Sequence, residues 1–185
     1  MFSSFKVSAL ALLVATAVSG TPLESRQATT CHPNAMGAGV SIINTGNPNL
    51  EWGVASATVN ARLVSSSFRG LAAADWHIQQ NGQSTPAYVI RDVSNDNVAV
   101  TFLHPDDIEL QTASNSGNAA TQLWDITCGT CSANALAGPG TVVGDACTIK
   151  LQGTNQCVQI GAGASDPLTL ATCNGSARQA FKIQT

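Results

Sequence analysis

The sequence has few charged residues, and this scarcity excludes two classes of partner. Only 8 of its 185 residues are Lys or Arg and 11 are Asp or Glu, so the formal net charge is −3. A nucleic-acid-binding protein needs a concentrated basic surface, whereas the Lys and Arg residues here are scattered along the chain. No polybasic stretch is present that would hold the chain at an anionic membrane. We therefore expect no nucleic-acid partner and a surface of neutral, hydrogen-bonding side chains.

Long apolar runs are also missing, apart from one near the N-terminus. Residues 7–18 are mostly apolar, follow Lys6 and are followed by small residues. A run of about a dozen residues is too short to span a bilayer, but it has the length of a secretory signal sequence. We predict a signal peptide at residues 1–20 and a short pro-segment or disordered N-terminus at residues 21–30. The mature protein is then expected to be extracellular and not membrane-embedded.

Signatures of catalysis are absent from the sequence. It contains no Gly-x-Ser-x-Gly, His-Glu-x-x-His or Gly-x-Gly-x-x-Gly motif and no phosphate-binding loop. Acidic residues, which a glycoside hydrolase needs as a pair, are few. We therefore expect no enzymatic activity and no cofactor.

The six cysteines are expected to form disulfides, because they follow a predicted signal peptide. Cys128-Gly-Thr-Cys131 has the spacing of a redox or zinc motif. No βαβ pattern surrounds it, however, and no second close pair of metal ligands exists. We therefore expect no metal site. For Cys31, Cys128, Cys131 and Cys147 the sequence leaves all three pairings open.

Helix signals are poor, whereas short alternating strand patterns bounded by turn residues recur along the chain. Four such segments fill residues 147–185. A comparable set fills residues 84–128, and a weaker set fills residues 31–80. Many short strands without helices are typical of an all-β barrel, with a two-sheet sandwich as the main rival.

The three sets end on large aromatic residues at Trp76, Trp124 and Phe181. The first two are 48 residues apart and the last two are 57 apart, because residues 129–146 form an insertion rich in Gly, Ala and Pro. An internal repeat of this kind favours a repeated architecture over a sandwich. We predict an all-β fold with three four-stranded repeats and pseudo-threefold symmetry.

The closing motifs resemble those of a known family. Gln122-Leu123-Trp124 matches the Gln-x-Trp motif of the ricin-type β-trefoil lectins, and Gln179-Ala180-Phe181 matches it with Phe in place of Trp. The first repeat keeps only Trp76. The resemblance implies one β-trefoil domain over residues 31–185, in which these aromatics fill the barrel and the Gln amides bind neighbouring backbone. It also implies a disulfide within the third repeat, between Cys157 and Cys173.

The resemblance further implies where sugars would bind. Sugar sites of the family combine an acidic residue in the second strand, an aromatic after the third strand and a polar residue before the closing Gln. The acidic position holds Glu51 in the first repeat, Ala99 in the second and Gln159 in the third. No repeat carries the stacking aromatic or the full set.

The remaining polar candidates lie in two repeats. In the third repeat they are Gln159, Thr169 and Arg178. In the second they are Asp106 and Asp107, on a loop that either binds sugar hydroxyls or calcium or is a solvated turn bent by its proline. One N-glycosylation sequon is present, at Asn174.

These features together predict a secreted, lectin-like protein that binds glycans without catalysis. The alternative is a β-trefoil protein-interaction module, such as a secreted hydrolase inhibitor with degenerate sugar sites. The sequence leaves the oligomeric state open.

Overall fold

The computed structural model describes residues 29–69, 75–83, 86–114 and 119–185. The predicted signal peptide at residues 1–20 and most of the predicted segment 21–30 lie outside these described residues.

The described part of the chain consists of β-strands and two single-turn 3₁₀ helices, so the all-β prediction is confirmed. The 3₁₀ helices are Ala120–Gln122 and Ala177–Gln179. Strands form where apolar and polar residues alternate, as in Trp124–Thr127, where Trp124 and Ile126 are buried and Asp125 and Thr127 are partly exposed. The strands are β1 (Gly39–Asn44), β2 (Leu50–Val54), β3 (Leu63–Ser67), β4 (Trp76–Gln80), β5 (Tyr88–Asp92), β6 (Asn95–Leu103), β7 (Asp107–Thr112), β8 (Trp124–Thr127), β9 (Thr130–Cys131), β10 (Val142–Leu151), β11 (Gln156–Gln159), β12 (Thr169–Thr172) and β13 (Phe181–Gln184).

Six of these strands pair in a closed ring. The order around the ring is β1, β4, β5, β8, β10 and β13, and β13 pairs again with β1. Every pairing is antiparallel. A ring of this kind leaves no free strand edge and encloses a core.

Three hairpins project from the ring, and they contact one another. They are formed by β2 with β3, β6 with β7, and β11 with β12. Thr169 of β12 pairs with Asp107 of β7, Arg62 bridges to Glu109, and Val64 bridges to Pro167. Two ring strands and one hairpin therefore recur three times along the chain.

Four large aromatic side chains, together with Tyr88, fill the core. Trp52, Trp76, Trp124 and Phe181 are all 0% exposed. The ring of Trp52 lies edge-on to Trp76, with centroids 6.3 Å apart, and edge-on to Phe181, at 5.6 Å. Such edge-to-face contacts contribute about 0.5–1.5 kcal/mol each beyond the area they bury. Trp52 from β2 thus packs against two of the three closing aromatics, Trp76 and Phe181.

The two glutamines of the closing motifs are buried and bind backbone. Gln122 Nε2 donates to the carbonyl of Thr112, at 2.9 Å, and Gln179 Nε2 donates to the carbonyl of Thr172, at 3.1 Å. Thr112 and Thr172 are the last residues of β7 and β12. Each amide therefore ties the end of a hairpin to the 3₁₀ turn that enters the next ring strand.

The structure selects one pairing of the four early cysteines: Cys31 with Cys131, and Cys128 with Cys147. Cys31 and Cys128 also exchange two backbone hydrogen bonds, each 2.9 Å long. One disulfide therefore joins the start of the described chain to the insertion, and the other joins the residue after β8 to β10.

The remaining two cysteines, Cys157 and Cys173, are bonded to each other across the third hairpin. Three disulfides are typical of an extracellular protein. Within the described residues, no helix has the length and apolar character needed to cross a membrane.

Candidate functional site

Three of the five polar candidates form a row across adjacent strands. Gln159 of β11 lies opposite Thr169 of β12, and Thr169 lies opposite Asp107 of β7. Directly opposed residues in antiparallel strands project from the same face, with Cα atoms roughly 5 Å apart. All three residues are partly exposed. An amide, a hydroxyl and a carboxylate are therefore presented side by side, and we call these three residues the polar row.

The carboxylate of the polar row already has a protein partner. Asp107 forms an ion pair with Arg62, and the side chains are 34% and 49% exposed respectively. At this exposure such a pair contributes about 0–1 kcal/mol, so its main effect is to orient the carboxylate. Asp106 is exposed in the adjoining turn, and its carbonyl oxygen accepts a hydrogen bond from the backbone of Leu170. Asp106 thus holds the turn against β12 through its backbone.

Arg178, the fifth candidate, lies apart from the polar row. Its Nε donates to the carbonyl of Ile160 at 2.8 Å, and Ile160 N donates to the Arg178 carbonyl at 3.0 Å. The side chain lines a shallow cleft of about 250 Å³ together with Asn44, Asn47 and Gly161. Neither Gln159 nor Thr169 lines that cleft. Arg178 therefore lines a different surface from the polar row, although it binds Ile160, the residue directly after Gln159.

Glu51, at the family's acidic position in the first repeat, is fully buried. Arg69 donates to Glu51 Oε1 from its backbone N, at 3.1 Å, and from Nε, at 3.2 Å, and also pairs with Asp75. Burial raises the pKa of Glu51 in spite of the hydrogen bonds from Arg69. The carboxyl of Asp75 also has a raised pKa, again because of burial. Glu51 is therefore inaccessible to a ligand and belongs to a structural charge cluster.

A larger polar cleft lies elsewhere, on the outer face of β4 and β5, and no sequence signal pointed to it. Its volume is about 550 Å³, and we call it the β4–β5 cleft. The polar side chains that line it come from four separate stretches of chain: Asn34, His77, Gln79, Gln80, Arg91 and Asp96. No motif spacing relates these residues, because the ring and hairpin pairings bring them together.

One wall of the β4–β5 cleft is held by a buried hydrogen-bond cluster. Tyr88 Oη donates to the carbonyl of Pro33 at 2.8 Å. Gln80 Nε2 donates to the same carbonyl, at 2.9 Å, and to Tyr88 Oη, at 3.0 Å. Burial raises the pKa of Tyr88 to about 12, so its hydroxyl remains a donor at neutral pH. These bonds fix the segment that carries Asn34 against the ring.

Comparisons with known proteins bear on the fold of the chain but not on its family or activity. No protein-family model matches the sequence, and no curated protein matches it. Among solved structures, the chain is similar to a mosquitocidal holotoxin, with a TM-score of 0.62 and 16% identity over 80% of this chain and 17% of that one. It is also similar to the designed 3-fold symmetric protein ThreeFoil, with a TM-score of 0.60 and 11% identity over 79% of this chain and 97% of that one.

A third similar structure is Cry35Ab1, with a TM-score of 0.56 and 14% identity over 78% of this chain and 34% of that one. The chain thus spans about a sixth of the holotoxin and a third of Cry35Ab1, but nearly the whole of ThreeFoil. At such low identities the likeness concerns the fold alone. It is consistent with a β-trefoil.

Proposed function

We propose that this chain is a secreted carbohydrate-binding protein with a ricin-type β-trefoil fold, which binds glycans without transforming them. The closed ring of six strands, the three hairpins and the likeness to a 3-fold symmetric protein support the fold assignment. The buried amides of Gln122 and Gln179 support it further, because each makes the backbone bond that the family resemblance implies.

The polar row is the observation that carries the functional proposal. The Gln159 amide and the Thr169 hydroxyl can each donate and accept hydrogen bonds, whereas the Asp107 carboxylate only accepts them. Neighbouring residues of the row have Cα atoms roughly 5 Å apart on one face, so the three groups can contact successive hydroxyls of one sugar. No aromatic ring occupies the family's stacking position, so binding relies on hydrogen bonds alone. We expect a weak single-site affinity, with Kd on the order of 1 mM.

Because single-site binding is expected to be weak, the test uses multivalent display. The secreted protein, biotinylated and captured on a tetrameric carrier, is applied to a glycan array, where avidity raises the signal without new contacts. We expect binding that free sugar competes away. An array without signal, or signal that sugar does not compete, contradicts the proposal.

Variants of the polar row locate the site. Gln159→Ala and Thr169→Ala are expected to lower the array signal, because each removes a hydrogen-bonding group from the row. Gln156→Ala is the matched control, since Gln156 is exposed on the same strand and pairs with Thr172 at the opposite end of the hairpin. If the Gln156 variant loses as much signal as the Gln159 variant, the row is not the binding site.

A further inference from the structure

The β4–β5 cleft is built around a directly opposed pair of strand residues. His77 of β4 pairs with Arg91 of β5, and both lie on the outer face of the ring, because the residues flanking them in each strand are buried. Asp96, near the start of β6, reaches the same cleft. Its volume of about 550 Å³ falls in the range of roughly 300–1,000 Å³ that is typical of small-molecule sites.

The cleft contains hydrogen-bonding atoms that the protein leaves unused. His77 Nδ1 lies 2.7 Å from Asp96 Oδ1, which fixes the orientation of the imidazole ring. The other ring nitrogen, Nε2, has no partner among the described residues. Arg91 Nη1 donates to the Asp96 carbonyl at 3.3 Å, and Arg91 Nη2 has no acceptor within the described structure. Arg91 Nε is buried beneath the cleft surface, so a ligand does not reach it. The polar atoms that face the cleft without a protein partner are therefore His77 Nε2 and Arg91 Nη2, and an oxygen-rich ligand would bind to both.

The corresponding strand pair of the next repeat shows the contrast. Asp125 of β8 and Lys150 of β10 also lie directly opposite each other, one position after Trp124, as His77 lies one position after Trp76. Those two side chains form an ion pair with each other at 3.6 Å. At the β4–β5 position the opposed residues form no such ion pair, because neither His77 nor Arg91 is acidic. The opposed residues of the equivalent strand pair therefore satisfy each other, whereas His77 and Arg91 do not.

The charges in the cleft indicate the class of ligand. Apart from the His77 imidazole, the residues that line the cleft include one cation, Arg91, and one anion, Asp96. Their formal charges therefore balance. Asn34, Gln79 and Gln80 supply amides, which both donate and accept. Such a mixture suits a ligand whose groups both donate and accept hydrogen bonds. Because the charges balance, the cleft does not favour an anion over a neutral ligand. A neutral polyhydroxylated ligand meets these requirements.

We propose that the β4–β5 cleft is a second saccharide-binding site, which takes a neutral sugar unit through Arg91, His77 and Asp96. The proposal rests on the proposed glycan-binding function but uses residues of the ring, whereas the polar row lies on the hairpins. A protein with both sites would engage two units of one glycan or two separate chains.

The test is a titration of the ¹⁵N-labelled full chain with neutral methyl hexosides, followed by NMR. This readout separates the two sites, because each amide reports its own surroundings. We expect shifts at Gly37, Gly82 and Arg91 around the cleft. Asp96→Ala should weaken binding at the cleft about tenfold, since it removes an ionised acceptor and frees the imidazole. Lys150→Ala, at the equivalent strand pair, should leave it unchanged.

Each result of the titration supports or overturns the proposal. Shifts confined to Gln159 and Thr169 would leave the proposed function standing and overturn the second site. Shifts confined to the cleft would support the second site and contradict the polar row. Shifts at the cleft with a uronic acid but not with a neutral hexoside would also overturn the proposal, because the ligand would then be an anion. Gln159→Ala serves as a folded variant in which the cleft shifts must persist.

Discussion

Trp76 and Trp124 make the same hydrogen bond from equivalent ring strands. The indole Nε1 of Trp76 donates to the carbonyl of Trp52 at 3.3 Å, and that of Trp124 donates to the carbonyl of Val100 at 3.1 Å. Each acceptor lies 24 residues before its donor and belongs to the first strand of the neighbouring hairpin. The indoles thus join the ring to the hairpins in two successive repeats.

We expect Trp124→Ala to lower the free energy of unfolding by about 3–5 kcal/mol, because it leaves a large cavity in the core. Trp124→Phe should cost less, since a ring still fills the space and chiefly the bond to Val100 is lost. Urea unfolding of the three proteins measures both effects. A loss below about 1 kcal/mol for the alanine variant would mean that the indole does not support the core.

The raised pKa of Glu51 predicts a pH-dependent effect of Glu51→Gln. A carboxyl whose pKa is higher in the folded state than in the unfolded state binds more protons when folded, so its contribution to stability falls as the pH rises from 4.5 through the folded pKa. A glutamine at position 51 does not titrate, so the variant does not lose stability in this way as the pH rises. We expect the variant to gain stability relative to the wild type on going from about pH 4 to about pH 7.

Unfolding free energies at the two pH values test this expectation. Asp75→Asn provides a comparison, because burial raises the pKa of Asp75 as well. A Glu51→Gln variant whose stability difference from the wild type is the same at both pH values would show that the carboxyl does not titrate as described.

The disulfides are expected to differ in their contribution to stability. Cys157 and Cys173 are 16 residues apart, whereas Cys31 and Cys131 are 100 apart. A longer closed loop restricts the unfolded chain more. Loop entropy therefore predicts that the free energy of unfolding falls by about 3 kcal/mol in the Cys157/Cys173 double-alanine variant and by about 4.7 kcal/mol in the Cys31/Cys131 variant. Denaturant unfolding without reductant measures both. A larger loss from the shorter loop would point to native-state contacts as the dominant effect.

Glycosylation at Asn174 should leave binding at the polar row unchanged. Asn174 is exposed and follows β12, five residues after Thr169, which in extended chain is roughly 15 Å away. We expect Asn174→Gln, expressed in a glycosylating host, to increase electrophoretic mobility without altering the array signal. A stronger signal from this variant would mean that the glycan reaches the row and obstructs it.

The strand content was predictable because it depends on local alternation. Apolar and polar residues alternate with a period of two in segments such as Trp124–Thr127, and no helical period competes with them. The aromatic residues that close the repeats could also be found from their spacing. The importance of Trp52 could not, since its contact with Phe181 joins residues from opposite ends of the domain.

The candidate sites were less predictable, since they depend on which strands lie side by side. Gln159 and Thr169 belong to the third repeat and Asp107 to the second, and only the pairing of β12 with β7 aligns all three. Arg178 was grouped with them by position in its repeat, yet it lines another cleft. Nothing in the sequence relates His77 to Asp96, because their hydrogen bond crosses strands of two repeats.

The sequence by itself determined the all-β class, the recurrence of short strands and the neutral, polar character of the chain, because these follow from composition and local periodicity. Only the tertiary structure decided the partners of Cys31 and Cys128, the burial of Glu51 and the assembly of the β4–β5 cleft. These features are set by pairings between strands far apart in the chain, and such pairings depend on the whole closed ring rather than on any local pattern.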